Sequence, residues 1–149
     1  MVAVCVSKLH RADFYGWTKD QAAALKRRDP KALDWENLSE QLQSLGKTEA
    51  RELYKSYVVL PTHLLQWAYQ PEKRSRSWRN TIANQRSALR KHLAENSSLK
   101  ARDAAEFADV CEISRREAST ETDMDVEAFP ERPPFTAAQA REPEFWPER

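Results

Sequence analysis

Two glycines in 149 residues, Gly16 and Gly46, constrain this chain more than any other feature. Hairpins, barrel corners and tight turns draw on glycine for positive φ. So do the loops that cradle phosphates in nucleotide enzymes. A chain this poor in glycine is predicted to be all-α. Its length suits one domain. Leu, Ile, Val and Phe total 27 residues, so the core is modest and leans on Ala, five Trp and four Tyr.

Local signals place the helices. Thr18–Gln21 (TKDQ) has the form of a capping box ahead of AAALKRR, which predicts a helix from there to about Asp29, before Pro30. Asp34 is the next N-cap candidate. Leu38, Leu42 and Leu45 then share an apolar face, with Glu36 and Glu40 opposite as solvated carboxylates. The phase continues past Gly46 to Leu53, Leu60, Leu64 and Trp67. That allows either one helix over 34–69, kinked at Pro61, or two helices broken at Gly46 with Thr48 as a cap. A further helix over 75–94 should turn Trp78, Ile82, Gln85, Leu89 and Leu93 inward, with Trp67 and Trp78 wedging the corner before it. The helix after Asn96 should turn Ala104, Phe107, Ala108 and Cys111 inward. The expected organisation is an N-terminal arm over 1–16, a bundle of four to five helices over 17–121, and a tail over 122–149. The tail holds five of the eight prolines, and its aromatic residues must pack on the bundle to be ordered.

Charge is divided unevenly. Residues 1–116 carry a net +7 and residues 117–149 a net −6, giving +1 overall. A basic body under an acidic tail explains this within one chain. A basic surface for an anionic partner is the alternative. Cys5 and Cys111 make no disulfide framework, which fits a reducing, cytoplasmic setting. Val2–Val6 is too short for a signal segment, and no apolar run suits a membrane span.

Four stretches occur in a recognisable order: DFYGWT from Asp13, LDWENLSEQLQSLGKTE from Leu33, HLLQWAYQPEKRSRSWRNTIANQR from His63, and the closing EAFPERPPFT…FWPE. In these the chain resembles a bacterial family catalogued as domain of unknown function twenty-nine, from about Asp13 to Glu148. The resemblance implies an all-helical fold and carries no activity or site residues with it. Pro61 departs from the family, which usually has an aliphatic residue there.

Catalytic and cofactor chemistry find little support in the residues. His63 has no His, Asp or Glu three or four positions away, so no metal pair forms, and no cofactor is expected. Ser75 and Ser77 lack a nucleophile elbow and oxyanion glycines. An enzyme centred on His63 and the Arg74–Trp78 corner is the least favoured reading. The leading one is a non-catalytic helical module that binds another macromolecule, with a protein as the expected partner. A nucleic-acid binder is the alternative, because Arg76, Arg79, Arg86 and Arg90 fall in one stripe of the 75–94 helix. Candidate binding residues are therefore His63, Gln70, Arg74, Arg76, Arg79, Arg86 and Arg90. Within the fold, the same arginines would instead meet carboxylates of neighbouring elements. Oligomeric state is left open.

Overall fold

The computed structural model describes residues 9–148. Cys5 and the Val2–Val6 stretch lie outside them. The described residues form helices and 3-10 turns with no strand. None of these helices is long and apolar enough to cross a membrane. The chain divides into two compact units, residues 1–49 and 50–149.

In the first unit, α1 spans Phe14–Arg27, four residues ahead of the expected cap. Asp13 is the N-cap, accepting from the Gly16 amide at 2.9 Å. A Cβ on Gly16 would stand 2.4 Å from that carboxylate, so glycine permits the close approach. Thr18 sits inside the helix and donates to the Tyr15 carbonyl. Gln21, expected to complete a box with Thr18, is buried and used elsewhere. Its amide donates to the Ala32 carbonyl at 3.2 Å, and its oxygen accepts from the Asp34 amide at 2.8 Å. Two long-range bonds outweigh one local cap. Arg28, left-handed at φ 56°, ends α1.

Asp34 starts α2 as expected, accepting from the Asn37 amide and from the Trp17 indole. α2 is one helix, Trp35–Tyr69, so Gly46 does not break it. Its residues up to 49 belong to the first unit and the rest to the second.

Pro61 lies within α2 and has no N–H for the Tyr57 carbonyl, a defect that disrupts a helix left unsupported. The second unit supplies the missing donor. The Ser114 hydroxyl, wholly buried on α4 (Asp103–Thr122), reaches the Tyr57 carbonyl at 3.3 Å and the Val58 carbonyl at 3.0 Å. Thr62 returns a bond to the Ser114 carbonyl at 3.3 Å. A small hydroxyl residue at the α2–α4 contact thus carries the helix through its proline.

α3 spans Arg76–Glu95, capped by Ser75, and buries Ile82, Leu89 and Leu93 as the spacing predicts. On α4 the inward stripe is Phe107, Val110, Ser114, Ala118 and Thr122. Ala104 and Ala108, expected inward, are exposed. Within the second unit the tail packs on the helices, burying Phe129 and Phe135 in their core. Asp125 caps the turn Val126–Ala128, and Thr136 with Gln139 forms a capping box on the short helix α5, Ala137–Arg141.

Candidate functional site

The candidate residues lie in the second unit, where α2 ends at Tyr69, a 3-10 turn covers Pro71–Lys73, and α3 begins at Arg76. Pro71 stops one helix and Ser75 opens the next, so six residues carry the chain round a corner. Trp67 marks its inner side. The ring packed against Trp67 is Trp146 from the tail, with centroids 4.6 Å apart and the planes tilted by 47°. Trp78, expected in that place, is half-buried at the margin of the core.

Arginines alternate with these two rings. The Arg74 guanidinium lies 4.9 Å from the Trp67 centroid, and its Nε donates to the Trp67 carbonyl at 2.8 Å. Arg79 lies 5.6 Å from Trp67 and 5.5 Å from Trp146. Arg86 lies 5.2 Å from Trp146. Each contact of this kind contributes about 0.5–2 kcal/mol, more as water is excluded.

Arg86 corrects the surface stripe. It is 2% exposed and donates to three tail carbonyls: Ala140 at 2.7 Å, Pro143 at 3.2 Å and Phe145 at 2.5 Å. Burial holds this guanidinium below its ordinary value, with the nearby Glu142 carboxylate opposing the shift. Carbonyl oxygens, and not the carboxylates expected from the charge pattern, satisfy it. Arg86 is a clamp on the tail. Arg90 lies elsewhere, lining a cavity of about 320 Å³ with Lys100, Asp103 and Arg141. There Arg141 donates to the Tyr57 hydroxyl and to Asp103, and Tyr57 donates to Asp103.

His63 and Gln70 also have structural ties. His63 Nδ1 bonds the Val59 carbonyl of its own helix at 3.0 Å. Gln70 is buried, and its amide donates to the Thr122 carbonyl at 3.3 Å. No group of three His, Cys, Asp or Glu among the described residues could hold a metal. Cys111, half-buried, donates to the Phe107 carbonyl, and burial pushes its thiol up. That suits an unreactive thiol.

What remains is an open cavity of about 500 Å³ lined by Trp67, Arg74, Ser75, Arg76 and Arg79. No carboxylate lines it, and none of its three arginines forms an ion pair among the described residues. The Arg76 side chain is exposed and has no hydrogen-bond partner among them. α3 has no acidic residue in its first turn, where the helix dipole favours one. Three positive charges therefore gather at the positive end of a helix. Sequence proximity of Arg74, Arg76 and Arg79 foretold part of this cluster. Trp146, far along the chain, had no local signal linking it to the corner.

Together these features define an all-α protein with a cationic, tryptophan-floored corner and no metal cluster among the described residues. Residues 9–146 match the family described as Domain of unknown function DUF29, and the chain belongs to that family. No curated protein and no solved structure shows detectable similarity to the chain.

Proposed function

We propose that this protein is a non-catalytic helical interaction module whose α2–α3 corner receives an acidic segment of another protein. The observation that carries this reading is the cavity itself: Arg74, Arg76 and Arg79 around Trp67, with no carboxylate in the lining. Guanidiniums bind carboxylates through paired, charge-assisted hydrogen bonds. Like charges at a helix N-terminus oppose the local preference. Departures of that kind are expected where a site faces a ligand.

An acidic peptide suits the corner better than a nucleic acid. A phosphate backbone is followed by a row of cations, each releasing counterions. Here Arg86 is occupied inside the fold and Arg90 lines a different cavity. The tail that supplies Trp146 belongs to the stretch with net charge −6, which repels an extended polyanion. The setting we propose is the cytoplasm of a bacterial cell, supported by the family resemblance and by two cysteines without a disulfide pattern.

Tryptophan fluorescence reports the test, since two rings lie at the site. Asp/Glu-rich peptides, matching Asn/Gln peptides, and DNA and RNA oligomers of equal charge are titrated into the protein and into Arg76→Glu. Salt-sensitive binding of the acidic peptides alone, lost in the variant, supports the proposal. Silence toward acidic peptides, or tighter binding of an oligonucleotide, overturns it.

A further inference from the structure

The cavity that Arg90 lines, about 320 Å³ in volume, shares no lining residue with the corner. Its wall is drawn from four places in the second unit. α3 gives Arg90, Leu93 and Ala94, and the 3-10 stretch Ser97–Arg102 gives Lys100. Asp103 comes from the start of α4 and Arg141 from the end of α5. Three cations thus face one space with a single carboxylate among them. Like charges held together repel, and more strongly where protein displaces water.

The carboxylate is already committed. Asp103 accepts from Arg141 Nη1 at 2.5 Å and from the hydroxyl of Tyr57, a residue with no exposed surface. Arg141 Nη1 also donates to the Tyr57 oxygen at 2.5 Å. Nη2 and Nε of Arg141 make no hydrogen bond among the described residues. Groups from two helices therefore orient this guanidinium through one nitrogen and leave its other donors unused, the arrangement by which a site fixes an arginine for a ligand. Neighbouring cations are paired: Lys91 with Glu95 at 3.9 Å, and Arg102 with Glu106 at 2.6 Å. The side chains of Arg90 and Lys100 make no ion pair or hydrogen bond among the described residues. The local carboxylates thus serve the cations outside the cavity and leave two inside it unanswered.

We propose that this cavity binds a small phosphate monoester. Asp103 balances Arg141, so Arg90 and Lys100 leave a net charge of two to be met. A phosphate monoester carries about 1.5 to 2 negative charges at neutral pH and three strong acceptor oxygens. It matches both the charge and the number of cationic donors. A carboxylate, with one charge and two oxygens, leaves a cation unanswered. Leu93 and Ala94 supply an apolar wall for the organic part of the ester. A volume of about 320 Å³ is at the low end for small-molecule sites, which sets the size of the ligand. This site is independent of the acidic-segment reading, since the two cavities have separate walls.

Isothermal titration calorimetry of the full chain, in buffer free of phosphate and sulfate, tests this. The probes are propyl phosphate, inorganic phosphate, butyrate and a peptide bearing one phosphoserine. Propyl phosphate should bind. Inorganic phosphate should bind more weakly, because it leaves Leu93 and Ala94 uncovered, and butyrate at least about tenfold more weakly. Arg90→Gln and Lys100→Gln should each weaken propyl phosphate by about tenfold, the loss of one charge-assisted hydrogen bond. Both side chains are exposed and unpaired, so the ligand-free variants should melt no lower than the wild type. Lys91→Gln removes the same charge outside the cavity and should leave the affinity unchanged. No binding of propyl phosphate up to about 5 mM overturns the proposal. So does equal weakening by Lys91→Gln, which would reduce the effect to general charge attraction, or a lowered melting temperature in both cavity variants. Butyrate or inorganic phosphate binding as tightly as propyl phosphate refutes the ester. Tighter binding of the phosphoserine peptide refutes the small ligand and gives the site to a modified protein.

Discussion

Replacing Ser114 by Ala removes one oxygen from a side chain with no exposed surface. That oxygen supplies the donor that Pro61 cannot. The Val58 carbonyl keeps a second donor in Thr62 Oγ1 at 2.7 Å, so the Tyr57 carbonyl bears the loss. A buried acceptor left without a partner costs about 1–3 kcal/mol. Pro61→Ala restores an amide N–H aimed at the same carbonyl. In that background the Ser114 bond is redundant, and removing it should cost only about 0.5–1 kcal/mol. The four proteins form a double-mutant cycle with an expected coupling on the order of 1 kcal/mol. Urea unfolding followed by circular dichroism measures each corner of the cycle, with unchanged m-values showing that the unfolded states are comparable. Equal cost of Ser114→Ala in both backgrounds would show that serine and proline are independent and refute the compensation.

Arg86→Met should destabilise the fold by on the order of 2–4 kcal/mol, since three tail carbonyls lose a charged donor. Arg86→Lys should recover part of this, and an unchanged urea midpoint would show that the tail is held without the clamp. Arg76→Glu should raise stability by about 0.5–1 kcal/mol, because it places a negative charge at the α3 N-terminus; a lowered melting temperature would contradict the view that Arg76 serves no purpose within the fold. Burial, and then the hydrogen bond to Asp103, hold the Tyr57 phenol above its ordinary value of 10.0. The fold thus favours the protonated phenol, and its contribution is complete below about pH 10 and lost as pH rises toward the folded value. Tyr57→Phe should remove one proton from the alkaline slope of stability, and identical slopes would show that Tyr57 ionises alike in both states.

Much of the helical framework was legible because its signals are local. Ser75 and Thr136 cap helices wherever the rest of the chain lies, and Ile82, Leu89 and Leu93 share a face by geometry alone. The start of α1 was not legible in that way. Asp13 and Thr18 are both sound caps, and the choice turned on Gln21, whose partners Ala32 and Asp34 lie beyond the helix. Periodicity also reveals which residues share a face, but not what meets it. Leu42 and Leu45 continue the phase of Leu53 and Leu60, yet only the latter two reach a core. Arg86 looks locally like Arg79 and Arg90. Its burial depends on carbonyls more than fifty residues away, which no nearby pattern encodes. Of the candidate site, the arginines adjacent in sequence were foreseeable and the second tryptophan was not.

The most direct test of the acidic-segment reading is an NMR titration that observes tryptophan indole N–H and arginine Nε–H signals as an Asp/Glu-rich peptide is added. The account predicts that Trp67, Arg74, Arg76 and Arg79 shift together along one binding curve, and that Arg90, in its own cavity, stays in place. Arg86 should move less than the corner arginines, because its donors are already committed to the tail. Shifts centred on Arg90 and Arg141, or no shift at the corner at saturating peptide, would contradict the assignment of this site.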